Sequence, residues 1–195
     1  MVISAPFTIT ASPDTDLWRK PPQHNATNAP VKIHTTIPLT KFQRVRTSIV
    51  ANWTQRYDQG GFVLKLTRQG TKDKWLKAGV EFYNDRPFIS TVCTDNWSDW
   101  SVAPPVLADG EKAEGEVIVE AIRQGDELGS GLWVYQVVKG KDGKEEKIPV
   151  REVTWFFADE EEWTLEVGAY AARPANKGGD LEVSFRSFEF EKSSK

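Results

Sequence analysis

Two stacked antiparallel β-sheets are what this 195-residue sequence predicts. Three observations lead there. Helical periodicity is hard to find, whereas two-residue alternation of apolar and polar residues recurs along the chain. The alternating runs are bounded by Gly, Pro, Asn and Asp, which tolerate positive φ or start turns. About eleven such runs fit one domain of this length, and that many antiparallel strands must stack into a sandwich or close into a barrel. The sandwich is the expectation, with residues 1–195 as one domain.

Taken in order, the first run is Phe7 to Ala11. Ser12 to Pro30 follows, with Pro13, Pro21, Pro22 and Pro30 and no pattern long enough for an element, so it reads as a long loop lying over the body. Alternation resumes in Val31 to Ile37 and Phe42 to Trp53. Gln59-Gly60-Gly61 reads as a tight connection into Gly61 to Arg68. Lys74 to Asn84 and Pro87 to Thr94 flank the turn Asn84-Asp85-Arg86-Pro87. Glu116 to Arg123 and Leu132 to Lys139 come next. A charged hairpin tip, Gly140-Lys141-Asp142-Gly143-Lys144, then leads to Ile148 to Phe157. Asp159-Glu160-Glu161-Glu162 reads as a solvated corner or one short helical turn. Trp163 to Ala172, the tight connection Asn176-Lys177-Gly178-Gly179-Asp180 and Leu181 to Glu191 complete the chain. No repeat of solenoid or propeller length is visible.

Composition narrows the function classes. Lys and Arg number 25 against 28 Asp and Glu, a net charge of -3, so there is no basic footprint for nucleic acid or an anionic membrane. No apolar stretch is long enough to span a bilayer. The opening residues lack the basic and apolar regions of a secretory signal, and Cys93 stands alone, so a reducing cytoplasm is the expected compartment. The sequons at Asn25, Asn52 and Asn96 then read as chance. His24 and His34 are the only histidines, too few for a His-based metal cluster, and no cofactor or metal ion is expected. The conspicuous feature is eight tryptophans in a chain with one Met and one Cys.

Strand faces locate candidate sites. In Lys74 to Asn84 one face is Leu76, Ala78, Val80 and Phe82, which is core. The other carries Trp75, Lys77, Gly79, Glu81 and Tyr83, two aromatics with a cation, an anion and a space-leaving glycine. It reads as a binding surface or as an exposed face with a Lys/Glu cross-pair. Tyr57-Asp58-Gln59 can aim polar groups at a ligand from a glycine turn, or stabilise that turn. Asp95-Asn96-Trp97-Ser98-Asp99-Trp100-Ser101 sets two indoles among hydroxyl-binding groups, as a carbohydrate subsite or a structural corner. Lys77 and Glu81 are the candidates for acid/base work. Glu116 and Glu120 share a strand face, but residues four apart lie about 13 Å apart along a strand, too far for a glycosidase pair without strong convergence.

The succession Tyr57-Asp58-Gln59-Gly60-Gly61, Lys74-Trp75-Leu76-Lys77-Ala78-Gly79-Val80-Glu81, Ser98-Asp99-Trp100-Ser101 and Val183-Ser184-Phe185-Arg186-Ser187-Phe188 resembles an uncharacterised family of the concanavalin A-like lectin/glucanase superfamily. A fungal member of that family is named for regulation of enolase. Thr15-Asp16-Leu17-Trp18-Arg19 is similar to the family's first motif. The resemblance covers most of the chain and implies a jelly-roll sandwich of two curved sheets, whose concave side holds glycans in better-known relatives. Three functions follow as expectations. The first is a non-catalytic binding protein for a small polar, carbohydrate-derived ligand. Trp75, Lys77, Glu81 and Tyr83 would form its floor, Tyr57, Asp58 and Gln59 its rim, Asp99 and Trp100 its far wall, with Trp18 and Arg19 closing one end. The second is a carbohydrate-active hydrolase or lyase using carboxylates of that groove. The third is a regulatory protein that binds a glycolytic enzyme. By the same reading Trp53, Trp133, Trp155 and Trp163 pack in the core, and Trp18, Trp75, Trp97 and Trp100 surround the site.

Overall fold

The computed structural model describes residues 2–4, 6–107, 115–140 and 142–193. Their strands are β1 (Val2–Ser4), β2 (Phe7–Ala11), β3 (Leu17–Lys20), β4 (His24–Thr27), β5 (Val31–Pro38), β6 (Phe42–Ala51), β7 (Gln59–Thr67), β8 (Lys74–Tyr83), β9 (Arg86–Thr94), β10 (Ser98–Ala103), β11 (Val117–Asp126), β12 (Gly129–Lys139), β13 (Glu145–Val153), β14 (Thr164–Ala172) and β15 (Leu181–Lys192). One sheet has seven strands in the order β1-β15-β6-β11-β12-β13, with β2 also on β15. The other has six, β10-β9-β8-β7-β14-β5, and β3 pairs with β4 alone. All these pairings are antiparallel. The fold is the jelly-roll sandwich that the alternation and the motif succession predict.

The two sheets meet over one apolar layer. From the six-stranded sheet come Phe62, Leu64, Leu76, Ala78, Val80, Ile89 and Leu165, and from the seven-stranded sheet Val45, Ile49, Val119, Val134, Phe185 and Phe188, all buried. Within a strand they lie an even number of residues apart, as a two-residue period requires, except Phe185 and Phe188, which are three apart across a register shift between Phe185 and Ser187. Phe82 is partly buried against the same layer.

Three local expectations are corrected. Ser12 to Pro30 is not an unstructured loop: it contains the hairpin β3–β4, in register Leu17↔Thr27 to Lys20↔His24 around Pro21-Pro22. Prolines at the tip hid it, although they remove no ladder donor there. Gln59-Gly60-Gly61 is not a turn but the start of β7; the chain turns one step earlier, where the Asp58 N–H donates to the Gln55 carbonyl at 2.9 Å and Tyr57 takes φ 70°. The glycines serve close approach instead, since a Cβ on Gly79 would lie 1.9 Å from the Gly60 carbonyl oxygen. The strand predicted to reach Phe157 ends at Val153, after which the chain turns, with the Ala158 N–H donating to the Trp155 carbonyl at 3.0 Å. The expected corner at Asp159 to Glu162 holds a short 3₁₀ turn over Glu160–Glu162 with no buried residue. Lys141 of the expected hairpin tip lies outside the described residues.

Candidate functional site

The β3–β4 hairpin lies across the outward face of the six-stranded sheet. Its strand alternation divides its side chains: Leu17 and Arg19 are buried against the sheet, while Trp18 and Lys20 line a cavity beside it. Leu17 packs with Val63, Trp75 and Tyr170 in a small second core. The Arg19 guanidinium lies 4.4 Å above the Trp75 ring and donates from Nε to Asn25 Oδ1 at 3.1 Å and from Nη1 to the Asp73 carbonyl at 3.2 Å. Burial lowers its pKa, with Asp73 opposing. The Arg19 N–H donates to Ser98 Oγ at 2.9 Å, which ties the hairpin to β10.

The cavity has a volume of about 470 Å³. Trp18, Tyr57 and Trp100 are its aromatic walls, and Gln59, Lys77 and Glu81 its polar floor. Lys77 is only 2% exposed; its ammonium donates to Gln59 Oε1 at 2.5 Å and to Asp16 Oδ1 at 3.3 Å. Gln59 Nε2 donates to the Tyr57 carbonyl at 3.2 Å and to Asp16 Oδ1 at 3.4 Å, so Asp16, Gln59 and Lys77 form one bonded triad. Behind it the Tyr170 hydroxyl donates to Gln59 Oε1 at 3.4 Å. Burial raises the Tyr170 pKa well above the usual phenol range, helped by the charges of Glu81 and Asp16.

Glu81 closes the other end of the floor. Its Oε2 accepts from Ser90 Oγ at 2.7 Å and Trp100 Nε1 at 3.0 Å. Burial pushes its pKa upward, against the lowering effects of Lys77 at longer range and of the Ser90 and Trp100 hydrogen bonds. The Trp100 ring stands edge-on to Tyr83 (5.3 Å between centroids) and Tyr57 (6.1 Å), and those two tyrosines stack at 5.7 Å, which holds the indole upright beside Glu81.

Of the expected site residues, Trp18, Tyr57, Gln59, Lys77, Glu81 and Trp100 meet in this cavity, with Tyr83 buttressing its wall. Four others do not line it. Asp58 is fully buried and forms a bidentate pair with Arg173, Nε to Oδ1 at 2.8 Å and Nη2 to Oδ2 at 2.7 Å, so it is structural rather than a rim group. Asp99 points to the opposite side of β10 from Trp100 and pairs with Arg151 at 2.6 Å. Trp75 is 1% exposed beneath Arg19, and both residues belong to a neighbouring groove of about 610 Å³ that also includes Trp97. Glu120 is buried among Arg44, Arg46 and Lys147 on the other sheet, and Glu116 accepts from Ser48 there, so neither carboxylate lines this cavity. The tryptophans are corrected in part: Trp53 and Trp163 are core and the half-buried Trp155 packs against it, but Trp133 is half-buried and stacks on Tyr135 at 6.1 Å.

Asp14, Asp16, Lys20 and His24 also line the cavity and were missed. The usable signal was the alternation Leu17-Trp18-Arg19-Lys20 followed, after two prolines, by another short run.

Comparison with known proteins places the chain in a family. Residues 3–193 match the family described as "Protein of unknown function (DUF1349)". The chain belongs to that family. A relative, an uncharacterized protein of Emericella nidulans, is 43% identical over 190 residues, 97% of this chain and 88% of its own. Among solved structures, a functionally unknown protein from Saccharomyces cerevisiae superposes with TM-score 0.68 at 21% identity, covering all of this chain and 93% of that one. The GH43 protein BlXynB from Bacillus licheniformis, a mutant form, superposes with TM-score 0.60 at 14% identity over 95% of this chain and 32% of its own. These two likenesses are of fold.

Proposed function

We propose that this DUF1349 protein is a non-catalytic, cytoplasmic binding protein that takes a small polar, carbohydrate-derived ligand in the cavity between the β3–β4 hairpin and the six-stranded sheet. The observation that carries this reading is the composition of that cavity. Two indoles and a phenol wall a space of about 470 Å³, within the usual range for a small-molecule site, over a floor of charged and amide groups held by hydrogen bonds. Indole faces suit the apolar face of a sugar ring, while carboxylate and ammonium groups take its hydroxyls. The floor is preorganised: Lys77 is tied to Gln59 and Asp16, and Glu81 to Ser90 and Trp100, so binding orders few further rotamers. Support from elsewhere is limited to fold, through the likeness to a GH43 protein.

Isothermal titration against a panel of mono- and oligosaccharides and sugar acids tests the reading. Saturable heat with a member of the panel, weakened in Trp18→Ala and Trp100→Ala, is expected. Absence of heat across the panel overturns the carbohydrate reading. One observation favours a second reading: a buried Glu81 with a raised pKa could donate a proton to a bound sugar. Product release from the panel, lost in Glu81→Gln, would replace binding with catalysis.

A further inference from the structure

Glu81 differs from the other buried carboxylates of the molecule. Among the described residues three are buried, Asp58, Glu81 and Glu120. Asp58 is paired with Arg173, and Glu120 with Arg44 and Lys147. Glu81 has no ion pair among the described residues, although it is only 5% exposed. Both of its hydrogen bonds use Oε2, and Oε1 accepts none from the described residues. Lys77, the nearest candidate on its own strand, is held by Gln59 and Asp16 instead. A buried carboxylate is ordinarily matched by a cation or by several donors, and Glu81 faces the cavity with one oxygen unmatched.

The remaining charges point the same way. The cavity is lined by three acids, Asp14, Asp16 and Glu81, against two lysines, Lys20 and Lys77, so its formal balance is negative. Trp18 has no ring or cation partner among the described residues, and Trp100, which lines the same cavity, directs its N–H to Glu81. An aromatic wall beside an unpaired carboxylate suits a ligand that combines a cation with an apolar ring face. We propose that the ligand carries a protonated amine, seated on Glu81 Oε1, on a polyhydroxylated ring that packs against Trp18 and Trp100: an amino sugar. This rests on the cavity being the ligand site; it adds the charge of the ligand and the residue that reads it.

The test is titration of the whole chain with glucosamine, galactosamine, their N-acetylated forms, the parent hexoses, and putrescine as an amine without a ring. A charge-assisted hydrogen bond predicts that an amino sugar binds about tenfold or more tightly than its N-acetylated and parent forms. Glu81→Gln, which keeps an acceptor for Ser90 and Trp100, should erase that difference without shifting the melting temperature downward. A readout needing no variant is the pH profile. Affinity of the amino sugar should rise with pH as Glu81 loses its proton while the amine keeps its own, whereas a ligand that accepts a hydrogen bond from a protonated Glu81 would weaken. Asp14, Asp16, Lys20, His24 and Lys77 face the same space, so the profile is repeated in Glu81→Gln, where the dependence assigned to Glu81 should disappear. Equal binding of amino and neutral sugars overturns the amine and leaves the sugar site standing. Putrescine outcompeting the amino sugars overturns the ring. If none of these compounds binds, the inference falls, and the wider panel alone then decides whether the site takes sugars at all.

Discussion

Replacing Asp58 by Asn removes one charge from the most enclosed ion pair among the described residues. Asp58 is 0% exposed and Arg173 4%, and four donors converge on the carboxylate: Arg173 Nε at 2.8 Å and Nη2 at 2.7 Å, and the Thr54 and Gln55 N–H groups at 3.0 and 2.9 Å. Asn keeps one acceptor and leaves a guanidinium buried without a counter-charge, a defect that costs about 3–5 kcal/mol. For a chain of this length each kcal/mol lowers the melting temperature by about 2–4 °C, so a drop of roughly 6–20 °C is expected. Thermal unfolding followed by circular dichroism measures the drop, and urea unfolding the free energy. Because Tyr57 and Gln59 flank Asp58, ligand affinity should fall together with stability. The double variant Asp58→Leu/Arg173→Met, which removes both charges, should recover most of the loss. A loss below about 1 kcal/mol for Asp58→Asn, the range of exposed pairs, would refute the claim that this pair holds the cavity rim.

Glu81→Gln should change how stability depends on pH. A carboxyl whose folded pKa is raised makes the native state the more strongly protonated one, so its contribution declines as pH rises above the unfolded value near 4.5. The Gln variant should therefore gain relative stability as pH rises above that value in urea titrations, and a constant difference would speak against a raised pKa. Gly79→Ala should be among the most damaging small substitutions, because the added Cβ meets a backbone oxygen at 1.9 Å; a melting temperature within about 2 °C of the wild type would contradict it. Cys93, buried with its thiol pushed up to about 11, should resist iodoacetamide at neutral pH until urea unfolds the chain, as mass spectrometry would show. Trp75→Ala should destabilise by about 3–5 kcal/mol, since the indole is a core residue under Arg19; a folded variant of unchanged stability would place it at the surface instead.

Much of the architecture was legible because a half-buried strand writes its two faces into the sequence. Leu76, Ala78 and Val80 do point inward, and Trp75, Lys77, Glu81 and Tyr83 do share the opposite face. What alternation does not carry is what lies above a face. That same polar face could be solvated or roofed, and the roof here is a hairpin of two four-residue strands too short to show a period. The same gap explains Trp75, which is on the expected face but covered. Ion pairing is also invisible locally: Asp58 and Arg173 are 115 residues apart, and nothing in a Tyr-Asp-Gln-Gly-Gly string tells a buried salt bridge from a ligand rim. Asp99 was misplaced for a simpler reason. Adjacent residues of a strand face opposite ways, so Asp99 and Trp100 could not both line one wall once β10 formed.

The central claim, that the space under the hairpin is where a ligand binds, can be read directly from the indole N–H signals in a nitrogen-15 correlation spectrum. Eight tryptophans give eight such signals, assigned one by one with Trp→Phe variants. Titration with glucosamine should move Trp18 and Trp100, which line the cavity, and leave Trp53, Trp133 and Trp163 in place. Shifts confined to Trp133, on the other sheet, or to Trp75 and Trp97 in the neighbouring groove would contradict it.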